Sequence, residues 1–272
     1  MKAQDLFDVN GLVTIVTGGA GGIGYAYAQV MADNGALVTI VDRDAAQLAG
    51  AVKALSNLDA DVRGELADVT DKAALRRAFD ASAQRHGRID VVFANAGISG
   101  GPGFLDTHNR RDPQRAIENL ADDLWDRVIA TNLTAVFRTI QLAAEHMKRG
   151  GGGAIIVTSS VSATKIEQYV GTIYVASKAG VAQLVRQAAI ELAACNIRVN
   201  AIAPGPCITN IGGGRLQDKA AQEFFAKLHP THRMARPEDM QGAALYLASP
   251  AARHVTGAHI VVDGGFTLGV AD

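Results

Sequence analysis

Short, almost continuously apolar runs alternate along the chain with longer stretches in which apolar residues recur at helical spacing. The runs at 12–16, 36–41, 89–93, 154–157 and 197–202 are rich in Val and Ile and hardly alternate, as parallel strands covered on both faces should be. Segments 62–67 and 259–262 complete a set of seven expected strands. Helices are predicted between them near 22–34, 44–56, 71–86, 119–148, 173–195 and 236–248. Such alternation specifies an α/β fold: a single doubly wound domain over 1–272 with a seven-stranded parallel sheet flanked by helices on both faces. Its cofactor-binding part is placed at about 9–100, its catalytic part at about 119–205 and a substrate loop at about 206–232.

Two segments break the rhythm. Residues 98–118 carry Gly, Pro and a charged cluster, and 204–232 open on Pro204-Gly205-Pro206. Long excursions from a compact scaffold are where binding specificity tends to reside. The glycines from Gly150 to Gly153 are read as a helix stop and turn.

Composition narrows the function. The 272 residues are 48% hydrophobic and 19% charged, enough apolar surface for a large core and too little charge for a disordered chain. With 26 Lys+Arg against 27 Asp+Glu, there is no cationic surplus to neutralise nucleic-acid phosphates. Cys195 and Cys207 are too few for a disulfide framework or a cysteine zinc site. The seven histidines form no HExxH or HxH pattern, so no catalytic metal is expected. No apolar stretch has membrane-spanning length, and acidic Asp5 and Asp8 stand where a signal peptide would be basic. A cytoplasmic protein without membrane or nucleic-acid partners is expected.

Thr17-Gly18-Gly19-Ala20-Gly21-Gly22-Ile23-Gly24 follows the first strand and opens the first long helix. Glycines there let the backbone turn sharply and approach a pyrophosphate, while the helix N-terminus offers free N–H groups. A ligand-free strand-to-helix turn is the other reading of such a run. Asp42 lies at the end of the second strand, eighteen residues beyond Gly24, the spacing of an acid that holds an adenosine ribose. Each hydrogen bond to its carboxylate is worth roughly 1.5–3 kcal/mol. A 2′-phosphate at about 4 Å would instead be repelled by about 4 kcal/mol per unit charge at an effective dielectric near 20. NAD is therefore favoured over NADP, with Arg43 as the residue that could reverse the preference. Asp44 is the better candidate for capping the next helix.

Tyr174-Val-Ala-Ser-Lys178 sets a phenol and an ammonium one helical turn apart on one face. A phenol with a pKa near 10 is a poor base at neutral pH, and lowering it by about three units needs about 4 kcal/mol. A Lys cation at about 4 Å supplies that much at intermediate dielectric. An ordinary surface pair is the alternative.

Together these residues resemble the short-chain dehydrogenase/reductase family, and the resemblance runs over nearly the whole chain. Thr17-Gly18-x-x-x-Gly22-Ile23-Gly24 resembles its cofactor loop, Asp68-Val69 its adenine-contacting pair, and Asn95-Ala96-Gly97 the element closing its fourth strand. Thr131-Asn132 resembles its mid-helix Asn, Ser159-Ser160 its serine-bearing strand end, and Tyr174 with Lys178 its signature pair. Pro204-Gly205 with Cys207 and Thr209 resembles the loop around the nicotinamide, and Asp263-Gly264-Gly265 its C-terminal element. The resemblance implies NAD(P)-dependent interconversion of a secondary alcohol and a ketone. Tyr174 would move the proton, Ser160 would donate to the reacting oxygen, and Lys178 would hold the nicotinamide ribose and depress the phenol. Asn132 would hold a water connecting Lys178 to solvent.

The chain departs from the family pattern in places. Ser160 lies fourteen residues before Tyr174, where thirteen is usual, which implies a one-residue insertion in 162–173 and leaves Ser159 and Ser162 as alternates. Ala94 stands where an Asn often precedes the Asn-Ala-Gly element, and 97–132 is about a dozen residues longer than in compact members. That extra segment holds His108, Arg110, Arg111 and Arg115, read either as an anion-binding mouth or as a solvated face. Phe224, Phe225 and Leu228 are expected to line a substrate cover or to pack an amphipathic helix. The Ala/Val/Leu-rich helix from Tyr174 to Cys195 has few charges, which implies burial of a second face, either in a homotetramer, as family resemblance suggests, or beneath the same chain. The alternatives in function are an NADP-dependent carbonyl or 3-oxoacyl reductase, an epimerase or dehydratase of nucleotide sugars, and a non-catalytic NAD-binding sensor or scaffold.

Overall fold

The computed structural model describes residues 2–56 and 60–269. A short helix α1 (Ala3–Leu6) precedes strand β1 (Val13–Thr17) and helix α2 (Gly22–Asp33). Next come β2 (Leu37–Asp42), α3 (Ala45–Ser56), β3 (Val62–Leu66), α4 (Lys72–His86) and β4 (Val91–Ala94). After the excursion follow α5 (Asp122–Ile129), α6 (Ala135–Gly150), β5 (Gly153–Thr158), α7 (Thr172–Leu192) and β6 (Ile197–Pro204). Helices α8 (Lys219–Lys227) and α9 (Gln241–Ala248) and strand β7 (His259–Val262) complete the described chain.

All seven strands join one parallel sheet in the order β3-β2-β1-β4-β5-β6-β7. The order reverses between β1 and β4, and a crevice opens beyond the C-terminal ends of strands at such a point. Each strand feeds two cores because successive side chains point to opposite faces. Ile15, Val92 and Ile155 pack with Phe79, Leu142 and Val181 on one face, while Val16, Phe93 and Ile156 pack with Tyr27, Met31 and Leu247 on the other. This double burial is why the central strands read as unbroken apolar runs. At the edge, β3 has one buried residue, Val62, and the polar pattern of a solvent-facing strand.

The helix expected over 119–148 runs from Asp122 to Gly150 and contains a π-helical turn, Ala130–Thr134, which holds Asn132. Of the two readings for Phe224, Phe225 and Leu228, a helix is present: α8 occupies the centre of 206–232, capped by the Asp218 carboxylate on Ala221 N at 2.9 Å. Asp44 caps α3 as expected, accepting from Ala46 N and Gln47 N at 3.0 Å each.

Candidate active site

At the end of β1 the Thr17 hydroxyl donates to Phe93 O (3.2 Å) and accepts from Asn95 N (3.0 Å), locking β1 to β4 where the glycine turn begins. Gly18 and Gly22 adopt left-handed φ of +63° and +53°. A Cβ on Gly24 would lie 2.1 Å from Gly18 O and 2.5 Å from Asn95 Nδ2, so the helix start and the turn meet at backbone contact. Gly21, at the N-cap of α2, has no side-chain cap, so the first N–H groups of that helix are not taken by a capping side chain. Ile23 packs into the core beneath them. This cradle fits a dinucleotide pyrophosphate.

Asn95 is the hub of this end. Its Nδ2 donates to Thr17 O and Gly18 O, both at 3.1 Å, and its Oδ1 accepts from the Thr158 hydroxyl at 3.0 Å. One side chain thereby ties the ends of β1, β4 and β5 together. Ala96 abuts Gly18, and Gly97 lies against Asn132 Oδ1 and Lys178 Nζ.

The Asp42 carboxylate braces the glycine loop by accepting from Ala20 N at 3.1 Å, and accepts from Asp44 N at 3.2 Å. Each of its oxygens keeps acceptor capacity for a further donor. Arg43 is exposed and directs its guanidinium toward Asp68, 3.8 Å away. Asp68 also accepts from Thr70 N and Thr70 Oγ1 at 2.8 and 2.7 Å, while Val69 is buried. Beyond β6, Gly205 meets Asp263, where a Cβ would stand 2.8 Å away, and Thr209 lies beside Gly22. Pro204 and Cys207 are buried, and burial pushes the Cys207 thiol up to about 12, so it is an inert thiol. The Ile208 N–H bonds to Ala235 O at 2.9 Å, which pins this loop.

Beside the cradle stand Asn132, Ser160, Tyr174 and Lys178. Lys178, on α7, is buried and donates to Thr158 O at 2.7 Å. Desolvation brings its ammonium down to about 8. Its Nζ is 5.6 Å from the centroid of the half-buried Tyr174 ring, one turn earlier. The phenol is pushed up to about 12 by burial, against the lowering effect of the Ser160 hydroxyl and with the Glu167 carboxylate raising it further. This differs from the downward shift that the Tyr–Lys spacing suggests. The reason is dehydration: the phenolate loses water, and the cation meant to offset this is itself desolvated and bonded to Thr158.

Among the three serines, Ser160 is the one that acts on the Tyr174 phenol. Its Oγ also donates to Ser162 Oγ and accepts from Ser162 N, both at 3.1 Å, while the Ser159 hydroxyl is buried without a partner among the described residues. Asn132 is fully buried by the π turn; its Oδ1 accepts from Ile98 N (2.8 Å), and its Nδ2 donates to Ile98 O (2.9 Å) and Ser177 Oγ (3.2 Å). Its side chain thus clamps residue 98 to α7.

The 98–118 excursion covers this site. Pro102 pairs with Val170, and Gly100 presses on Tyr174, where a Cβ would be 3.0 Å from its backbone N. Its arginines are held locally: Arg110 by Asp106, Arg115 by Asp112, and Arg111 stacked on the Phe104 ring at 5.2 Å. Helix α8 closes the other side, with Phe224 and Phe225 edge-on to Tyr169. Sequence reading missed Thr158, Ser177 and Glu167. Thr158 acts partly through its carbonyl, which has no sequence signal, and Glu167 stands out only once the loops around it are folded.

Comparison with known proteins agrees with this geometry. A family model described as enoyl-(acyl carrier protein) reductase matches residues 18–267. The chain is 39% identical over 257 residues to cis-4-hydroxycyclohexanecarboxylate dehydrogenase of Sinomonas cyclohexanicum, covering 94% of this chain and 96% of that one. It is 36% identical to D-threitol dehydrogenase of Mycolicibacterium smegmatis, covering 98% and 99%. A crystal structure of a short-chain type dehydrogenase/reductase from Mycobacterium marinum superposes with a TM-score of 0.87 at 33% identity, covering 98% and 99%. The chain therefore belongs to the short-chain dehydrogenase/reductase family and is an NAD(P)-dependent oxidoreductase interconverting secondary alcohols and ketones.

Proposed function

We propose that the cofactor is NAD, that Tyr174 is the acid–base of the reaction, and that the substrate is a cyclic or hydroxylated secondary alcohol. The observation that carries this reading is the meeting of the Tyr174 phenol, the Ser160 hydroxyl and the Lys178 ammonium beside the glycine cradle. When bound, the nicotinamide ring supplies the carbon that gives or accepts hydride. Gly18, Gly22, Ile23 and Gly24 would hold the pyrophosphate, Asp42 the ribose, and Asp68 and Val69 the adenine. Asn95, Ala96 and Gly97 would flank the cofactor from β4, and Pro204, Gly205, Cys207 and Thr209 would clasp the nicotinamide end. Arg43, turned toward Asp68, leaves the carboxylate of Asp42 as the nearest selector at the ribose.

Ser160 donates a hydrogen bond to the reacting oxygen, where negative charge grows during ketone reduction. Tyr174 gives its phenolic proton to that oxygen, or takes one from the alcohol in the reverse direction. Lys178 holds positive charge beside the phenol and is positioned by Thr158 O. Asn132 keeps residue 98 and α7 in register. The names of the relatives, a hydroxycyclohexane acid and a tetritol dehydrogenase, support a hydroxylated ring or chain as substrate. The free cysteines support a cytoplasmic setting, and the exposed side of α7 supports a homotetramer.

Formation of NADH from NAD⁺ and, separately, of NADPH from NADP⁺ is followed over a panel of secondary alcohols. Turnover with NAD⁺ that falls by roughly 10²–10⁴ in Tyr174→Phe, with NADH still bound, is expected. Activity confined to NADP⁺ overturns the Asp42 assignment, and full activity of the Phe variant overturns that of Tyr174.

A further inference from the structure

Ser160 heads a small turn that is bonded to itself. Its carbonyl accepts from Ala163 N at 3.1 Å, its hydroxyl accepts from Ser162 N at 3.1 Å, and Val161 O accepts from Thr164 N (3.1 Å) and Lys165 N (2.9 Å). Residues 160–165 therefore form one hydrogen-bonded unit, and whatever holds Lys165 also bears on Ser160. The Lys165 side chain reaches out of that unit to a segment 101 positions away: its ammonium donates to Phe266 O at 2.6 Å and lies 3.7 Å from the Phe266 ring centroid. A charge-assisted hydrogen bond and a cation over an aromatic face thus act at one point. The nearest acid in the chain receives nothing from it, since Oε1 of the buried Glu167 has no hydrogen-bond partner among the described residues.

The far end of this tether is itself a junction. Phe266 is buried in a turn, 263–267, which the Asp263 carboxylate closes by accepting from Gly265 N (2.9 Å), Thr267 N (2.8 Å) and Thr267 Oγ1 (2.8 Å). On one side of the turn, Gly205 N donates to Val262 O at 3.1 Å, and Gly205 abuts Asp263, which joins the turn to the loop assigned to the nicotinamide end. On the other side, the Phe266 ring lies 5.0 Å from the ring of the buried His229, whose Nδ1 donates at 2.6 Å to Phe225 O in the last turn of α8. A Cβ on Gly265 would stand 2.9 Å from Pro230 Cγ, so the chain leaving α8 is in close contact with the same turn. The serine turn, the nicotinamide loop and the cover helix all rest on these five residues.

We infer that Lys165 is a positioning residue for Ser160: its grip on Phe266 sets the serine turn in register with the nicotinamide loop and α8, and so aims the Ser160 hydroxyl at the reacting oxygen. Lys165 acts through Ser160 and moves no proton itself. A donor aimed at developing charge loses its effect steeply when displaced, and a shift on the order of 1 Å costs up to about a hundredfold in rate. This deepens the proposed function and rests on Ser160 being the donor to the reacting oxygen.

The test is a double-mutant cycle between Lys165 and Ser160 in the full chain. It is read as kcat on the best alcohol of the panel at saturating NAD⁺, with NADH affinity and thermal midpoints recorded for each variant. Ser160→Ala alone should lower kcat about a hundredfold. Lys165→Met keeps the apolar stem and loses the ammonium; it should lower kcat about tenfold and leave NADH affinity unchanged. Because Lys165 acts through Ser160, the double variant should be no slower than Ser160→Ala, about a hundredfold below wild type. Lys165→Arg, which keeps both cation and donor, should recover most of the rate. Phe266→Leu keeps the accepting carbonyl and removes the ring; it should fall between Lys165→Met and wild type, and it serves the same cycle if Lys165→Met does not fold. A double variant about a thousandfold below wild type, in which the two losses simply multiply, overturns the proposal. So does Lys165→Met at the wild-type rate, or Lys165→Arg as slow as Lys165→Met. Ser160→Ala at the wild-type rate overturns instead the reading of Ser160 on which the proposal rests.

Discussion

Replacing Asn95 tests whether one side chain couples the nucleotide loop to the catalytic strand. Asn95→Ala removes two donated bonds at 3.1 Å, to Thr17 O and Gly18 O, and one accepted from Thr158 Oγ1 at 3.0 Å. At about 1 kcal/mol for each neutral bond, and with carbonyl groups left short of a partner, the loss is about 3–4 kcal/mol. For a chain of this size that lowers Tm by about 10 °C, given roughly 2–4 °C per kcal/mol. Chemical denaturation and thermal melting at fixed protein concentration, with and without NADH, measure it. Asn95→Asp is the discriminating partner variant. It keeps the shape but sets a carboxylate against two carbonyl oxygens, so it should be less stable than Asn95→Ala. NADH binding should weaken by about tenfold in both as the Gly18 turn loosens. Stability of Asn95→Ala within 1 kcal/mol of wild type, or Asn95→Asp matching wild type, refutes the coupling.

Asp42→Ala should lower the preference for NAD over NADP at least tenfold and weaken the loop it braces at Ala20 N, read from kcat/KM with each cofactor. The Glu167 carboxyl ionises at 4.5 when free and at about 7 in the fold, so the folded chain holds an extra proton between those values. The stability this supplies is complete below pH 4.5 and is lost as pH rises through 7, a swing of about 2–3 kcal/mol after allowance for solvent screening. Denaturation at pH 5 and pH 8 should show Glu167→Gln gaining on wild type by that amount at the higher pH; a flat difference would mean that the carboxyl is well solvated. On α7, Ile190 is 75% exposed, so Ile190→Glu should shift the protein from a tetrameric mass to smaller species in light scattering, and a monomeric wild type at micromolar concentration would end the oligomer proposal.

The strands were legible because burial on both faces leaves little room for polar residues, and the predicted limits of β1, β2, β5 and β6 differ from the observed ones by only one or two residues. Gly18, Gly22, Gly24, Asn95, Tyr174 and Lys178 were legible because turn geometry and helical spacing constrain residue type at those positions. The π turn at 130–134 was not: Ala-Thr-Asn-Leu-Thr contains neither Gly nor Pro, and the contacts of Asn132 with Ile98 and Ser177 that accompany the wide turn are tertiary. Nor was the upward shift of Tyr174, because spacing reveals a neighbouring charge but not the loss of water around both groups. Glu167 looked like any loop acid, because its burial is set by the folded loop and not by its sequence neighbours.

The π turn also has an effect on the outside of the molecule. Trp125 of α5 and Phe137 of α6, 46% and 49% exposed, are twelve positions apart. On an uninterrupted helix that separation leaves them about 120° out of phase. One surplus residue taken up in the wide turn winds the second half back by about 100°, bringing both rings onto nearly the same line along the helix pair. Deleting one residue from 130–134 would straighten the helix and restore regular bonding, yet it would swing Phe137 around the axis relative to Trp125 and pull Asn132 out of step with Ile98. The same inserted residue therefore keeps two clocks in time, one facing the reacting groups and one facing away from them.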